Sequence, residues 1–262
     1  IKKYLMIGLL NWHWFAISCA ISLIIAYLVN RYTTPIFQAA TTILINEDDG
    51  KKTVRSNSNE IIQTLNTLSS GVNIQNQIGL LKSYLINDVV ISELDFGVSY
   101  HRHGRIHSIQ KYLPDQLNLI ADTTHKQGYD TPLNIKILSD KQYHLSTEYP
   151  AKKELVTLDT TLNFGDTFEN EDFKFTILIR NPEKFYEERP GEYDVTINKH
   201  SSLVNKYRNG VGIEQTDLKS TILVLTARGF TPDEVCDYLN KLTEVYIRYG
   251  LNKKNDIVAN TI

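Results

Sequence analysis

From Leu9 to Val29 the chain runs for twenty-one residues without an Asp, Glu, Lys or Arg, and seventeen of them are Ala, Val, Ile, Leu, Phe, Trp, Tyr or Cys. As an α-helix this segment would span about 31 Å, the thickness of a bilayer's hydrocarbon core. Trp12 and Trp14, the two tryptophans of the chain, stand at its front edge and Tyr27 and Tyr32 near its rear, where amphipathic rings settle at a membrane–water interface. A cleaved signal peptide and a buried core helix are the rival readings. A signal peptide would have a shorter apolar run with a small-x-small cleavage site behind it, and Val29-Asn30-Arg31-Tyr32-Thr33 offers none. The reading is therefore one transmembrane helix over 9–29 after a cytoplasmic juxtamembrane segment over 1–8. Lys2 and Lys3 before it against Arg31 behind it put the N-terminus in the cytoplasm and the remainder on the far side.

That remainder is long enough to build its own core. The 262 residues are 42% hydrophobic and 22% charged, which excludes general disorder. Lys plus Arg number 28 against 30 Asp plus Glu, so there is no basic excess to neutralise a phosphate backbone, and nucleic acid is not an expected partner. Cys19 lies in the apolar run and Cys236 in an expected helix, so no disulfide scaffold is implied. The absence of any Asn-x-Ser/Thr sequon favours a bacterial periplasmic domain over a eukaryotic secreted one.

Beyond the apolar run the period of the pattern changes twice. Phe37 to Ile45 is Thr- and Ile-rich and ends at Asn46-Glu47-Asp48-Asp49-Gly50, a strand and a turn; Lys51 to Asn59 reads as loose, and Glu60 to Ser69 as a helix. Asn76 to Leu94 reads as a second amphipathic helix. Leu133, Ile135 and Ile137, a turn at Asp140-Lys141, then Tyr143, Leu145, Thr147 and Tyr149 predict a hairpin. Phe173, Phe175, Ile177 and Ile179 alternate, as do Tyr193, Val195 and Ile197, while Thr221 to Thr226 is a continuous run expected of an interior strand covered on both faces. Thr231-Pro232-Asp233-Glu234 supplies a helix start, and Val235, Leu239, Leu242, Tyr246 and Tyr249 follow at spacings of four and three as an apolar seam, facing either the domain's own sheet or a neighbouring subunit. The helical pattern runs to Ile262 without a stop, so a longer helix is expected. The fold class is α/β (α+β): a mixed sheet with flanking helices over 30–230, one transmembrane helix before it, and over 231–262 the start of a long helix.

Signatures of catalysis are missing. No G-x-x-x-x-G-K-[ST], H-E-x-x-H, C-x-x-C or G-x-S-x-G occurs, so no catalytic, cofactor-binding or metal residue is assigned. Gly210-Val211-Gly212 reads as a strand or turn feature. The one dense group is His101, Arg102, His103, Arg105 and His107, read first as a solvated loop at a helix exit, with contact to an anionic sugar or lipid headgroup or a transition metal as its alternatives. The fifteen tyrosines are read mainly as core and strand residues.

Taken in order, these segments resemble the Wzz-type polysaccharide co-polymerases, the chain-length determinants. The residues that carry the resemblance are Tyr32-Thr33-Thr34-Pro35-Ile36-Phe37-Gln38-Ala39 entering the first strand; Ile78 to Leu94 with Leu81-Lys82-Ser83; Pro132 to Ser146, similar to a strand pair of the tyrosine-kinase-bearing, Wzc-like subgroup; and Ser220 to Ile262 with Asn240. The resemblance implies a bacterial inner-membrane protein with a periplasmic domain and no chemistry of its own, working as a ring-shaped homo-oligomer for which eight subunits is the suggested size. Its implied partners are the lipid bilayer, a polysaccharide polymerase and an outer-membrane export channel, and its implied role is to set the length and export of capsular or exopolysaccharide. In the kinase-bearing subgroup ATP and Mg²⁺ act in a downstream module, so they concern this protein only if such a module follows. A periplasmic ligand-binding receptor or export adaptor is the remaining alternative.

Overall fold

The computed structural model describes residues 12–33, 35–45, 74–104, 108–114, 116–151, 154–187, 191–217 and 220–259. The turn at 46–50, the loose segment at 51–59 and the helix expected at 60–69 lie outside them. Helix α1 runs Trp12–Tyr32, and none of its residues is buried. By length and composition it can cross a bilayer; residues 9–11 of the expected span lie outside the described residues.

Two hydrophobic cores follow. The first is built on a three-stranded antiparallel sheet in which β12 (Ile222–Gly229) lies between β1 (Phe37–Leu44) and β11 (Gly212–Gln215). Phe37 pairs with Gly229 and Leu44 with Ile222, joining segments nearly two hundred positions apart. Against this sheet pack a helical segment over 74–81, α2 (Tyr84–Ser92), α4 (His200–Gly210) and α5 (Pro232–Ala259). Gly212 opens β11 opposite Thr226; a Cβ there would meet the Thr226 hydroxyl at 2.5 Å, so a larger residue would force that side chain to turn.

The second core is a β-sandwich made by the chain between α2 and α4. Its larger sheet runs β3-β2-β10-β5-β6-β7, with β2 (Val98–His103), β3 (Ser108–Lys111), β5 (Pro132–Ile137), β6 (Gln142–Ala151), β7 (Glu154–Asn163) and β10 (Glu192–Ile197). The smaller runs β4-β9-β8, with β4 (Leu117–Ala121), β8 (Thr167–Glu169) and β9 (Lys174–Ile179); a short helix α3 (Pro182–Glu187) leads from β9 to β10. Leu133, Ile135, Tyr143, Leu145 and Val195 of one sheet join Leu117, Phe175 and Ile177 of the other in a single buried cluster.

Four expectations are corrected. The sheet is not mixed: every pairing among the described strands is antiparallel. Hairpins join β5, β6 and β7, and a hairpin turns the chain back beside itself, whereas a parallel pair needs a crossover. The 76–94 helix is two helices. The chain breaks at Lys82-Ser83, where Ser83 takes an extended conformation and its hydroxyl accepts from the Ile86 N–H as the cap of α2. The strand at Thr221 to Thr226 is covered on one face only: Leu223, Leu225 and Ala227 are buried, while Ile222 remains 39% exposed, because the helices line one side of this sheet. Finally, His101, Arg102 and His103 are not in a loop but in β2, held between β3 and β10.

Candidate functional site

The two cores meet at the start of α5. Strand β3 ends at Lys111, and the chain then bends through Tyr112, Leu113 and Pro114, with Leu113 at a left-handed φ of 46°. This bend, the segment that follows α1, and the loop from β12 into α5 enclose a cleft of about 430 Å³. Pro35 and Phe37 contribute to it from the α1 side, Arg102 and Tyr193 from the large sheet, Lys111 and Tyr112 from the bend, and Phe230 and Asp233 from the α5 side.

Beneath the cleft, hydrogen bonds and stacked rings tie the cores together. Glu234, 7% exposed, accepts from the Tyr207 hydroxyl on one carboxylate oxygen, and on the other from Gln110 Nε2 at 2.9 Å and from the Thr231 hydroxyl at 2.8 Å. One turn along, Asp237 accepts from the Tyr112 hydroxyl at 2.9 Å. Phe96 stacks on Tyr207 with ring centroids 4.8 Å apart and meets Tyr112 edge-on at 5.6 Å. Tyr238 lies 4.8 Å beyond Tyr207, and its hydroxyl donates to Asn87 Oδ1 at 2.7 Å. Burial, reinforced by the charge of Glu234, holds the Tyr207 phenol far above its ordinary pKa. Burial and the bond to Asp237 raise Tyr112, and burial raises Tyr238. All three stay protonated at neutral pH and act as donors. A carboxylate with three donors and phenols that do not ionise make an anchor between two cores, not a nucleophile–base pair.

The residues singled out from sequence divide by strand alternation. His101 and His103 lie on one face of β2 and Arg102 on the other. His103 Nε2 is 2.7 Å from Asp194 Oδ2, and burial lowers the pKa of His101, partly countered by Asp194. Arg102 forms part of the cleft wall; Arg105 and His107 lie outside the described residues. Among the described residues no three His, Cys, Asp or Glu side chains gather closely enough to hold a metal ion. Val235, Leu239 and Leu242 are buried in the first core, with Tyr246 and Tyr249 packed partly against it. Pro35 and Phe37 border the cleft, Ala39 packs against the first core, Leu81 is fully buried in it, Lys82 occupies the exposed turn, Ser83 caps α2, and Asn240 is exposed. Gln110, Tyr112 and Tyr207 were not marked by any local pattern. Only Glu234 carried a signal, its place three residues after Thr231 at a helix start.

No family model matches the chain. Two curated relatives are similar to it, each described as tyrosine-protein kinase wzc, one from Salmonella typhimurium and one from Salmonella typhi. Each is 21% identical over 263 aligned positions, which take in 93% of this chain and 32% of the relative. The chain thus spans about a third of the length of the curated relatives it matches.

Proposed function

We propose that this chain is the export-side part of an inner-membrane polysaccharide co-polymerase, anchored by α1, with its two-core domain in the periplasm and its action exerted through homo-oligomeric assembly. The observation that carries this reading is the similarity to tyrosine-protein kinase wzc over 93% of the chain, beside an N-terminal helix long and apolar enough to cross a bilayer. The absence of a nucleophile or cofactor motif in the sequence agrees with a regulatory role that leaves polymer synthesis to a partner polymerase and its passage to an outer-membrane channel.

The subunit contact belongs on a face of α5 other than the predicted seam, because that seam is already occupied by the domain's own core. Ile247 and Leu251, 50% and 57% exposed and one turn apart, offer an apolar face turned away from it. Replacing both by Glu should leave the fold intact and shift the modal length of surface polysaccharide on a gel. A deletion strain that makes polymer of unchanged length and amount would remove the co-polymerase reading and leave a ligand-binding receptor ahead.

A second reading, the assembly half of a tyrosine autokinase, is favoured by the name of the relatives, most of whose length lies beyond the match. Residues 1–262 contain no phosphate-cradling loop and are expected to leave their tyrosines unmodified when incubated with ATP and Mg²⁺. A Walker-type loop after Ile262 would establish the kinase.

A further inference from the structure

We infer that four exposed apolar side chains where the chain enters the domain, Ile36, Phe37, Ile109 and Phe230, form a second membrane contact, seated in the interfacial layer of the leaflet from which α1 emerges. This rests on the reading of α1 as a membrane span. Reach along the chain is its first ground. Helix α1 ends at Tyr32 and Ile36 follows four residues later, at most about 14 Å of extended chain, so Ile36 stays within that reach of the hydrocarbon boundary whichever way the link runs. Phe37 comes next and pairs with Gly229, which puts it at the end of the sheet where Phe230 leaves β12. Ile109, on β3 of the sandwich, borders the same opening as these two phenylalanines.

The second ground is the chemistry of the rim. Ile36 is 65% exposed, and Phe37, Ile109 and Phe230 are 40%, 50% and 49% exposed. Among the described residues after α1, every other phenylalanine packs into one of the two cores, so the two left in solvent stand together at one opening. Large apolar side chains gathered in this way are costly in water and favourable at the boundary between headgroups and acyl chains. The exposed pair Ile247 and Leu251 is a separate face, since Ile247 lies about 22 Å along α5 from Pro232. A second copy covering the rim would have to fit into the space that so short a link leaves between the rim and the lipid. Because the rim draws on both cores and α5 begins two residues after Phe230, seating it would hold both cores and the head of α5 against the leaflet. The contact is apolar and selects no headgroup charge.

The test uses the full 262-residue chain in phosphatidylcholine nanodiscs whose acyl chains carry bromine either near the headgroup or near the terminal methyl. With Trp12 and Trp14 replaced by Phe, Ile109→Trp serves as the fluorescent reporter. Shallow bromine should quench it about twofold and deep bromine less, equally at low and high salt because apolar burial is not screened. Adding Ile36→Ser and Phe230→Ser should remove about half of that quenching or more. A reporter moved to Leu155, 67% exposed on β7 and five strand spacings, about 24 Å, from β3, should not be quenched. Circular dichroism melting checks that each variant folds; if the double serine variant melts early, Ile36→Ser alone takes its place. An unquenched reporter at 109, in discs where the native Trp12 and Trp14 are quenched in the parent chain, would overturn the rim contact and leave the span standing. Native tryptophans that escape quenching as well would refute the span, and the contact with it. Equal quenching at 155 would spread the contact over the whole sheet and overturn its assignment to the rim. A blue-shifted, unquenched reporter in discs that hold two chains would give the rim to a second copy and overturn the lipid assignment.

Discussion

Glu234 is the residue on which most of the junction depends. With its carboxylate buried under three donors, truncation does more than remove a charge: it takes the acceptor from the half-buried Tyr207 hydroxyl and Gln110 amide and opens a cavity beneath the cleft. Glu234→Ala should cost about 3 kcal/mol in denaturant unfolding, whereas Glu234→Gln, whose carbonyl still accepts, should cost about half as much. A loss below about 0.5 kcal/mol for the alanine variant would mean that the network carries little of the stability. The tyrosines set a pH limit at the same place. Tyr207, Tyr112 and Tyr238 have folded-state pKa values raised above the ordinary phenol, and burial pushes Tyr143 up to about 12. A raised folded pKa gives stability that is fully present below the unfolded value, about 10, and is lost as pH rises from there through the folded value. Alkaline titration should therefore unfold the domain cooperatively, with phenolate absorbance and loss of ellipticity appearing together. In Tyr207→Phe the decline of stability above pH ~10 should be shallower; an identical slope would show that this phenol is not part of the linkage.

Among the elements, the break between the 74–81 segment and α2 shows what Leu81-Lys82-Ser83 does physically. Leu81 fills the first core, Lys82 turns outward and Ser83 starts the next helix. The break is braced by Asn87, fully buried, whose Nδ2 donates to Leu81 O at 2.9 Å and to Ser83 O at 2.8 Å while its Oδ1 accepts from Tyr238. Ser83→Ala should cost about 1 kcal/mol as a lost cap, and Asn87→Ala about 3 kcal/mol because the buried Leu81 carbonyl and Tyr238 hydroxyl lose their partner together, while the Ser83 carbonyl keeps the backbone N–H of residue 87; equal losses in thermal melts would contradict this division of labour. The sequence displayed only one half of the break. The 3.6-residue period continues across Lys82-Ser83, so pattern alone reads one helix, and a Ser inside such a run is an ordinary helical residue unless its backbone is seen to be extended. Where neighbours in space are neighbours in sequence, as in the β5–β6 hairpin with Ile137 opposite Tyr143, the alternation was legible. Pairing of β1 with β12 was not, since no local pattern encodes a partner so far along the chain. Of the cleft's lining, Arg102 was legible, grouped there with two histidines that the strand sends to the opposite face, and so were Pro35 and Phe37, marked by the resemblance alone.

At the scale of the whole molecule, everything proposed for this protein depends on which side of a bilayer the two cores occupy, and the chain carries its own probes. Its two cysteines are free and exposed, Cys19 midway along α1 and Cys236 one turn into α5, beside the cleft-lining Pro232 and Asp233. If α1 spans the inner membrane with its N-terminus in the cytoplasm, Cys19 is shielded by acyl chains and Cys236 faces the periplasm. In cells with a permeabilised outer membrane and an intact inner one, a charged, membrane-impermeant thiol reagent should label the protein once. Cys236→Ser should abolish the labelling and Cys19→Ser should leave it unchanged. Disrupting the inner membrane should add no label, because Cys19 stays in lipid; full denaturation in detergent should add the second. Labelling of Cys236 only after the inner membrane is broken would place both cores in the cytoplasm, and labelling of Cys19 in intact cells would mean that α1 is not in the bilayer at all. Protection of Cys236 that persists after the inner membrane is disrupted but disappears in Ile247→Glu/Leu251→Glu would instead locate a subunit contact over α5, with the topology then read from a cysteine placed at the exposed Asp140 of the sandwich.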